Sequence, residues 1–414
     1  MAVRTVSAAG GNFNAGATWV GGVAPVAGDS IIADATSGNL TLTANTGIMV
    51  SYNFTGYTRT LALATFALQA SGSVTLGSGM TITNTSTNGR ITLTAAGATL
   101  TSNGVDVPSL QWQAAATLVG DVRVGSLAVS SSANISGANM IFYGSTVTLD
   151  NFNFTGGSKL ILRPTSTLTL TTSSTGMNGT LVFDTTNAIT FVGPLRFDNA
   201  NGNAIEFTKP LTVSNTLTMP KLTFTKTNSC SINAGTFSVN FLEAYFQPSN
   251  AVNATTLSIL SDSISINDFI IATSPTTTGI RSNVILDGTY APTIKSLYCQ
   301  SYCDFSSGVG GIRYNSSGLT LKGGLTYSIT ERLSIGGLGP SQSTLGASPS
   351  VANIYFTGLT YSISNVNLSN INFVSPTVTF SRLDNTGLSS LSNVTGLPLA
   401  SAAGGGGGSF TYVN

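Results

Sequence analysis

The chain contains no histidine among its 414 residues. That absence removes Ser-His-Asp and Cys-His nucleophile activation, histidine-ligated zinc, and the side chain that most often moves protons near neutral pH. Charge is scarce as well. Sixteen Lys and Arg stand against 15 Asp and Glu, 7% of residues in all, where a soluble protein typically carries about 25%. The net charge of +1 is dispersed with no cluster of four basic residues, so no nucleic-acid partner and no anionic-lipid partner is expected. The acidic residues stand singly and no Gly-Gly-x-Gly-x-Asp repeat occurs, which argues against a carboxylate calcium cage. No Walker or dinucleotide fingerprint stands in a strand–helix context, so neither a metal nor a cofactor is expected. Three cysteines, Cys230, Cys299 and Cys303, give an odd count and no disulfide framework. Cys299 and Cys303 are near enough in sequence to pair, but reduced thiols are the expectation. No apolar run reaches the roughly 18 residues of a membrane span. The opening MAVRTVSAAGGNFNAG holds no signal-peptide segment, so synthesis in a cytoplasm is expected.

What is abundant is alternation. Apolar residues make up 41% of the chain, and Thr, Ser and Asn fill the places that Lys and Glu normally take. From Met140 to Thr172, Val147, Leu149, Phe152, Leu160, Leu162, Leu168 and Leu170 are interleaved with small polar residues, which puts one face of a strand inward and the other outward. Gly144, Gly156-Gly157 and Pro164 interrupt these short runs. The same texture recurs at Leu40–Thr43, Val74–Leu76, Ile91–Leu93, Leu118–Val129, Leu181–Phe183, Ile189–Val192, Leu211–Leu217, Leu222–Phe224, Phe237–Phe246 and Ile264–Ile271. Helical periodicity with caps is missing. The prediction is an all-β, elongated stacked architecture, a right-handed parallel β-helix or solenoid, with an array of β-sandwich domains as the alternative. Leu149-Asp-Asn-Phe-Asn-Phe154 recurs as Leu368-Ser-Asn-Ile-Asn-Phe373, favouring the solenoid, in which like residues stack and asparagines form side-chain ladders. No fixed period runs through the whole chain.

The chain divides by texture into an N-terminal cap or attachment segment (1–50), a solenoid body (51–330), a loop or hinge (331–352), a C-terminal β stack (353–400), and a Gly-rich tether with a terminal strand (401–414). Within the cap, Phe13 and Trp19 lie among Gly21, Gly22, Pro25, Gly28 and Asp29, a composition suited to tight turns around two apolar anchors. These residues are the candidate cap and attachment site. Phe410, Tyr412 and Val413, beyond Gly404–Gly408, alternate like a strand able to add to a sheet edge, and form the candidate assembly tail. Glycan cleavage can run on carboxylates alone, and Asp262, Asp268, Asp287, Asp304 and Glu331 are the densest acidic set. Their isolation speaks against catalysis. Thr-x-Thr repeats, such as Thr81-Ile-Thr83 and Thr146-Val-Thr148, suggest ice binding, but plain strand alternation makes the same motif and the spacing is irregular.

The block Gly11-Asn-Phe-Asn, Thr18-Trp-Val-Gly-Gly22, Pro25 and Gly28-Asp29, the long Thr/Ser/Asn/Gly strand region, and the glycine run with its aromatic tail together resemble virion structural proteins of tailed bacteriophages, of the β-solenoid tail-fibre, tailspike or head-surface kind. The resemblance implies a non-enzymatic virion component made in a host cytoplasm. It further implies a homo-oligomer, a trimer by that likeness, in contact with other virion proteins and with a host cell-surface glycan as a further candidate partner. Bacterial adhesin or surface-layer proteins share the texture and are the alternative. A polysaccharide-degrading tailspike enzyme is the second alternative.

Overall fold

The computed structural model describes residues 1–129, 133–149, 152–171, 177, 179–192, 195–197, 203–209, 212–213, 222–224, 229–234, 239–246, 255–262, 264–272, 281–301, 303–304, 313–314, 316–337, 343–358, 360–364, 366–376, 391–395 and 412–413. The fold is a parallel β-solenoid, about 56% strand and about 1% helix. A sandwich is built from antiparallel neighbours. Among the described residues antiparallel pairing is confined to the Val6–Trp19 bridge, Cys303–Asp304 with Arg313–Tyr314, and Thr360–Tyr361 with Tyr412–Val413.

In the compact unit Met1–Val192, the chain winds so that each strand pairs with the equivalent strand one coil later. One ladder runs through Val3–Thr5, Ser30–Ile32, Ser51–Asn53, Ser73–Thr75, Ala98–Thr101, Ala116–Val119, Ala133–Ser136 and Phe152–Phe154. Eight strands spaced about 4.8 Å apart extend that face over roughly 34 Å. A second face stacks Ala67–Ala70, Arg90–Leu93, Leu110–Trp112 and Leu127–Val129, and a third stacks Asp106–Val107, Val122–Val124, Met140–Phe142, Lys159–Leu162 and Thr180–Phe183. Register then places like residues over like. Ile31, Tyr52, Val74 and Leu100 form one buried column, and Val107, Val124, Phe142, Leu162 and Phe183 form another. Each buried aliphatic or aromatic side chain in such a column contributes about 1.5–3 kcal/mol.

The coil length is irregular, and this is why no period is visible in the sequence. A short coil carries the chain from Leu110 to its ladder partner Leu127, whereas a much longer one separates Gly11 from its partner Leu40. The extra residues leave as turns without disturbing the register of the buried columns. Where the turns stay tight, glycine is required by space. A Cβ on Gly144 would overlap the carbonyl oxygen of Gly125 in the preceding coil, and one on Gly77 would overlap the carbonyl oxygens of Phe54 and Tyr57. The expected Leu118–Val129 run is three strands, Ala116–Val119, Val122–Val124 and Leu127–Val129, because Gly120 adopts φ +74° and turns the chain between faces.

The second unit follows Val192 and uses longer strands. Val239–Phe246, Ile264–Ala272, Thr293–Ser301 and Thr326–Gly337 stack in parallel, and Arg281–Leu286, Ser316–Lys322, Ser343–Ser348 and Val366–Val374 form a companion ladder. Ile266, Ile294 and Ile329 make one buried column, and Leu319, Leu345 and Leu368 another. The expected side-chain ladder is present: the Asn372 amide donates to Asn353 Oδ1 at 2.8 Å, and the Asn353 amide to Thr326 Oγ1 at 3.3 Å.

Two boundaries differ from the textural ones. The expected loop or hinge at 331–352 contains strand in its described residues, since Thr326–Gly337 is one long strand and Ser343–Ser348 is another, while 338–342 lie outside the described residues. Ladder partners on both sides hold Gly336 extended, between Gln300 and Ser364, and parallel hydrogen bonds do not require high strand propensity. The compact units meet in sequence after Val192, inside the expected 51–330 body.

Candidate functional site at the first coil

Residues 1–50 are themselves the first coils, with Val3–Thr5, Ser30–Ile32 and Ser51–Asn53 consecutive in one ladder. The cap is the excursion between the first two of these strands. Its chain returns along the outer edge of Val3–Thr5: the Val20 N–H donates to the Thr5 carbonyl at 2.9 Å and the Ser7 N–H to the Thr18 carbonyl at 2.8 Å. An open strand edge is a template for uncontrolled pairing, and this return covers part of it.

Both predicted anchors are buried, Phe13 at 1% and Trp19 at 2% exposure. Their rings meet edge to face, centroids 5.1 Å apart and planes at 83°. The Trp19 indole N–H donates to the Phe13 carbonyl at 2.7 Å. Gly21 and Gly22 take φ +85° and +72°, and Gly28 takes +88°, conformations that cost little only for glycine. Pro25 is half-buried.

Asp29 is the electrostatic centre of the closure. Its carboxylate accepts from the Ala2 N–H at 2.7 Å, the Val26 N–H at 3.2 Å and Arg4 Nε at 3.2 Å. These bonds, the one from Ala2 foremost, hold the Asp29 carboxyl below the usual carboxylate range. The pairing ties strand one to the turn before strand two. It was not visible in the sequence, where the whole cap excursion separates Arg4 from Asp29.

Apolar side chains on this knot and the loop bonded to it are exposed. Val3 is 64% exposed, Val20 63% and Val26 63%, with Val23 and Ile48 nearly half exposed. Their backbones are linked through the closure. Val26 and Ala2 share the Asp29 carboxylate, the Gly28 N–H reaches the Ile48 carbonyl, and Val20 is bonded to Thr5. The signal in the sequence was the spacing Val20-x-x-Val23-x-x-Val26, whose glycines, alanine and proline leave the valines no core to enter.

The other candidate residues belong to the second unit. Tyr412 and Val413 pair antiparallel with Tyr361 and Thr360 of the same chain, while Phe410 lies outside the described residues. Asp287 sits 3.2 Å from Lys322 and Glu331 3.9 Å from Lys295, and Asp262 is exposed. Asp268 is in a long strand and Asp304 in a short antiparallel pair, and the side chains of both are outside the described set. Cys299 is a buried thiol in the Ile271–Cys299–Ile335 column, and burial pushes it up to about 12. The side chains of Cys230 and Cys303 lie outside the described set. No group of three or more His, Cys, Asp or Glu is placed to hold a metal among the described residues. Comparison with protein-family models, curated proteins and solved structures finds no match.

Proposed function

We propose that this chain is a non-enzymatic structural component of a tailed-bacteriophage virion surface. In this reading it acts by assembly and docks through its first coil. The virion part of this reading rests on the sequence resemblance; the observation that carries the docking part is the set of exposed valines on the closure, held rigid by the Phe13–Trp19 pair and the Arg4–Asp29 knot. Exposed apolar residues gathered on a fixed scaffold mark protein–protein contact, and such a surface needs no reactive group. A neutral Thr/Ser/Asn exterior is buried against partners at modest desolvation cost, which supports homo-oligomerisation beside other virion proteins; the trimer is what the sequence resemblance implies. Two of the five candidate acids are engaged in ion pairs, Asp287 with Lys322 and Glu331 with Lys295, which supports an architectural role over a catalytic one. The test is mass-spectrometric identification in density-purified virions against cell-envelope fractions, with a Val20→Asp, Val26→Asp double variant competed against the parent chain. The expected result is enrichment in virions and reduced incorporation of the variant. Enrichment in the envelope fraction instead would make the chain a surface adhesin.

A further inference from the structure

We propose that the face formed by Ala67–Ala70, Arg90–Leu93 and Leu110–Trp112 binds a carboxylate-bearing oligosaccharide across three successive coils. A half-open groove of about 370 Å³ lies there, and Asn45, Phe66, Gln69, Asn88, Arg90 and Gln111 contribute to its lining. The side chains come from as far apart as Asn45 and Gln111, and coil winding alone brings them together. Gln69, Thr92 and Gln111 are register partners on consecutive coils, so their side chains repeat at about 4.8 Å along the floor.

The chemistry is that of a polar ligand with one negative charge per recognition point. The Thr92 hydroxyl is bonded to Gln111 Oε1 at 3.4 Å, and Asn45 Oδ1 accepts the Ala67 N–H at 2.8 Å, which fixes that amide with its NH2 still able to donate. The side-chain amides of Gln69 and Asn88 have no hydrogen-bond partner among the described residues, and amides both donate and accept, as hydroxyl-rich ligands require. Arg90 is half-buried and its Nε is covered without an acceptor. Among the described residues no carboxylate lines the groove. Elsewhere Arg4, Arg123 and Arg163 each meet an aspartate. A guanidinium fork matches a carboxylate in bidentate fashion, and the half-buried Phe66 ring offers an apolar patch for the C–H face of a sugar ring.

A peptide fits less well. Arg90–Leu93 has ladder neighbours on both sides, so no strand edge is free for β-addition, and the polar lining offers no pocket for apolar side chains. Binding of this kind needs only the purified chain and does not rest on the virion reading.

The test is titration calorimetry of the full chain with hexagalacturonate, beside maltohexaose as the neutral oligomer and acetate as the free carboxylate. The expected result is saturable hexagalacturonate binding, weakened at least about tenfold by Arg90→Gln and about threefold by Gln69→Ala, with circular dichroism unchanged. Hydroxyl-radical footprinting of the unaltered protein, which does not depend on any variant folding, should show Phe66 protected by hexagalacturonate. Absence of saturable binding at millimolar hexagalacturonate overturns the proposal. So does equal affinity for maltohexaose, or for acetate, or protection mapped to a different face.

Discussion

Replacing Trp19 with alanine should open the first coil and leave the rest of its unit folded. The indole is 2% exposed, packs edge to face on Phe13, and donates to the Phe13 carbonyl at 2.7 Å. Truncating a buried Trp costs about 3–5 kcal/mol, and the orphaned Phe13 carbonyl adds about 1 kcal/mol or more. A local loss of about 4 kcal/mol raises amide exchange by roughly a thousandfold wherever opening of this coil governs exchange. In a solenoid each coil contacts only its neighbours, so the effect should decay along the chain. Hydrogen exchange read by mass spectrometry should show residues 2–33 losing protection in Trp19→Ala, while 98–129 exchange as before. Trp19→Phe keeps much of the apolar area but not the N–H, so its effect should be nearer tenfold. Uniform loss of protection from 2 to 192 would refute the local-coupling argument. Unchanged protection at 2–33 would refute the anchoring role itself.

Gly144→Ala places a methyl against the Gly125 carbonyl and should lower stability by about 1–3 kcal/mol, read as a fall in urea midpoint, whereas Gly97→Ala, with open space around its Cβ, should cost only the strain of its φ +80°. Tyr57 and Tyr327 are pushed up to about 12 by burial, with the Asp287 charge adding to the rise at Tyr327. Their contribution to stability should therefore be complete below pH 10 and vanish as pH rises from 10 through about 12, seen as a steep loss of melting temperature there; a flat profile to pH 12 would contradict it. Asp29 carries the opposite sign: its depressed carboxyl stabilises the fold above the ordinary carboxylate value of 3.8 and loses that contribution as pH falls further, and Asp29→Asn should remove the acid-side slope assigned to the first coil. Cys299, a neutral buried thiol, should resist iodoacetamide at pH 8 in the native chain and react once it is unfolded.

Period-two alternation was enough to place the strands at Val74–Leu76, Ile91–Leu93, Leu181–Phe183 and Ile264–Ile271, because inward positions in a coil are predominantly apolar, and outward ones tolerate Thr, Ser or Asn. The stacking of coils was hinted at by the asparagine echo, and Asn353–Asn372 is such a rung. Register stayed hidden. A coil as short as Leu110 to Leu127 and as long as Gly11 to Leu40 leaves no period to read. Without register the partnership of Arg4 with Asp29, or of Gln69 with Thr92 and Gln111, has no expression in the sequence. The strand at Thr326–Gly337 was missed for the converse reason: its glycines argue for a loop locally, while neighbouring coils dictate an extended chain. The Trp19 anchor was legible because a large aromatic amid glycine and proline has little else to do than fill the space those turns enclose.

The same register logic governs charge. An outward side chain sits about 4.8 Å from its counterpart in the next coil, so the few charges of this chain interact chiefly across coils. Asp106 and Arg123 are register partners and meet at 3.0 Å. Arg163 and Asp184 follow the paired Leu162 and Phe183 and form an ion pair in turn. Each such exposed pair contributes about 0–1 kcal/mol, so its main effect is to cancel a local field on an otherwise neutral surface. Arg90 breaks the pattern. Its register partner in the preceding coil is Ala67, and since Ile91 pairs with Leu110, its counterpart in the next coil is Ser109, with no acid on either side. Half-burying a cation without a counter-ion carries a desolvation cost that the fold itself does not offset. Among the described residues the other half-buried arginine, Arg4, is neutralised by Asp29. On such a surface an uncompensated arginine beside the unpaired amides of Gln69 and Asn88 favours an anion supplied from outside the chain.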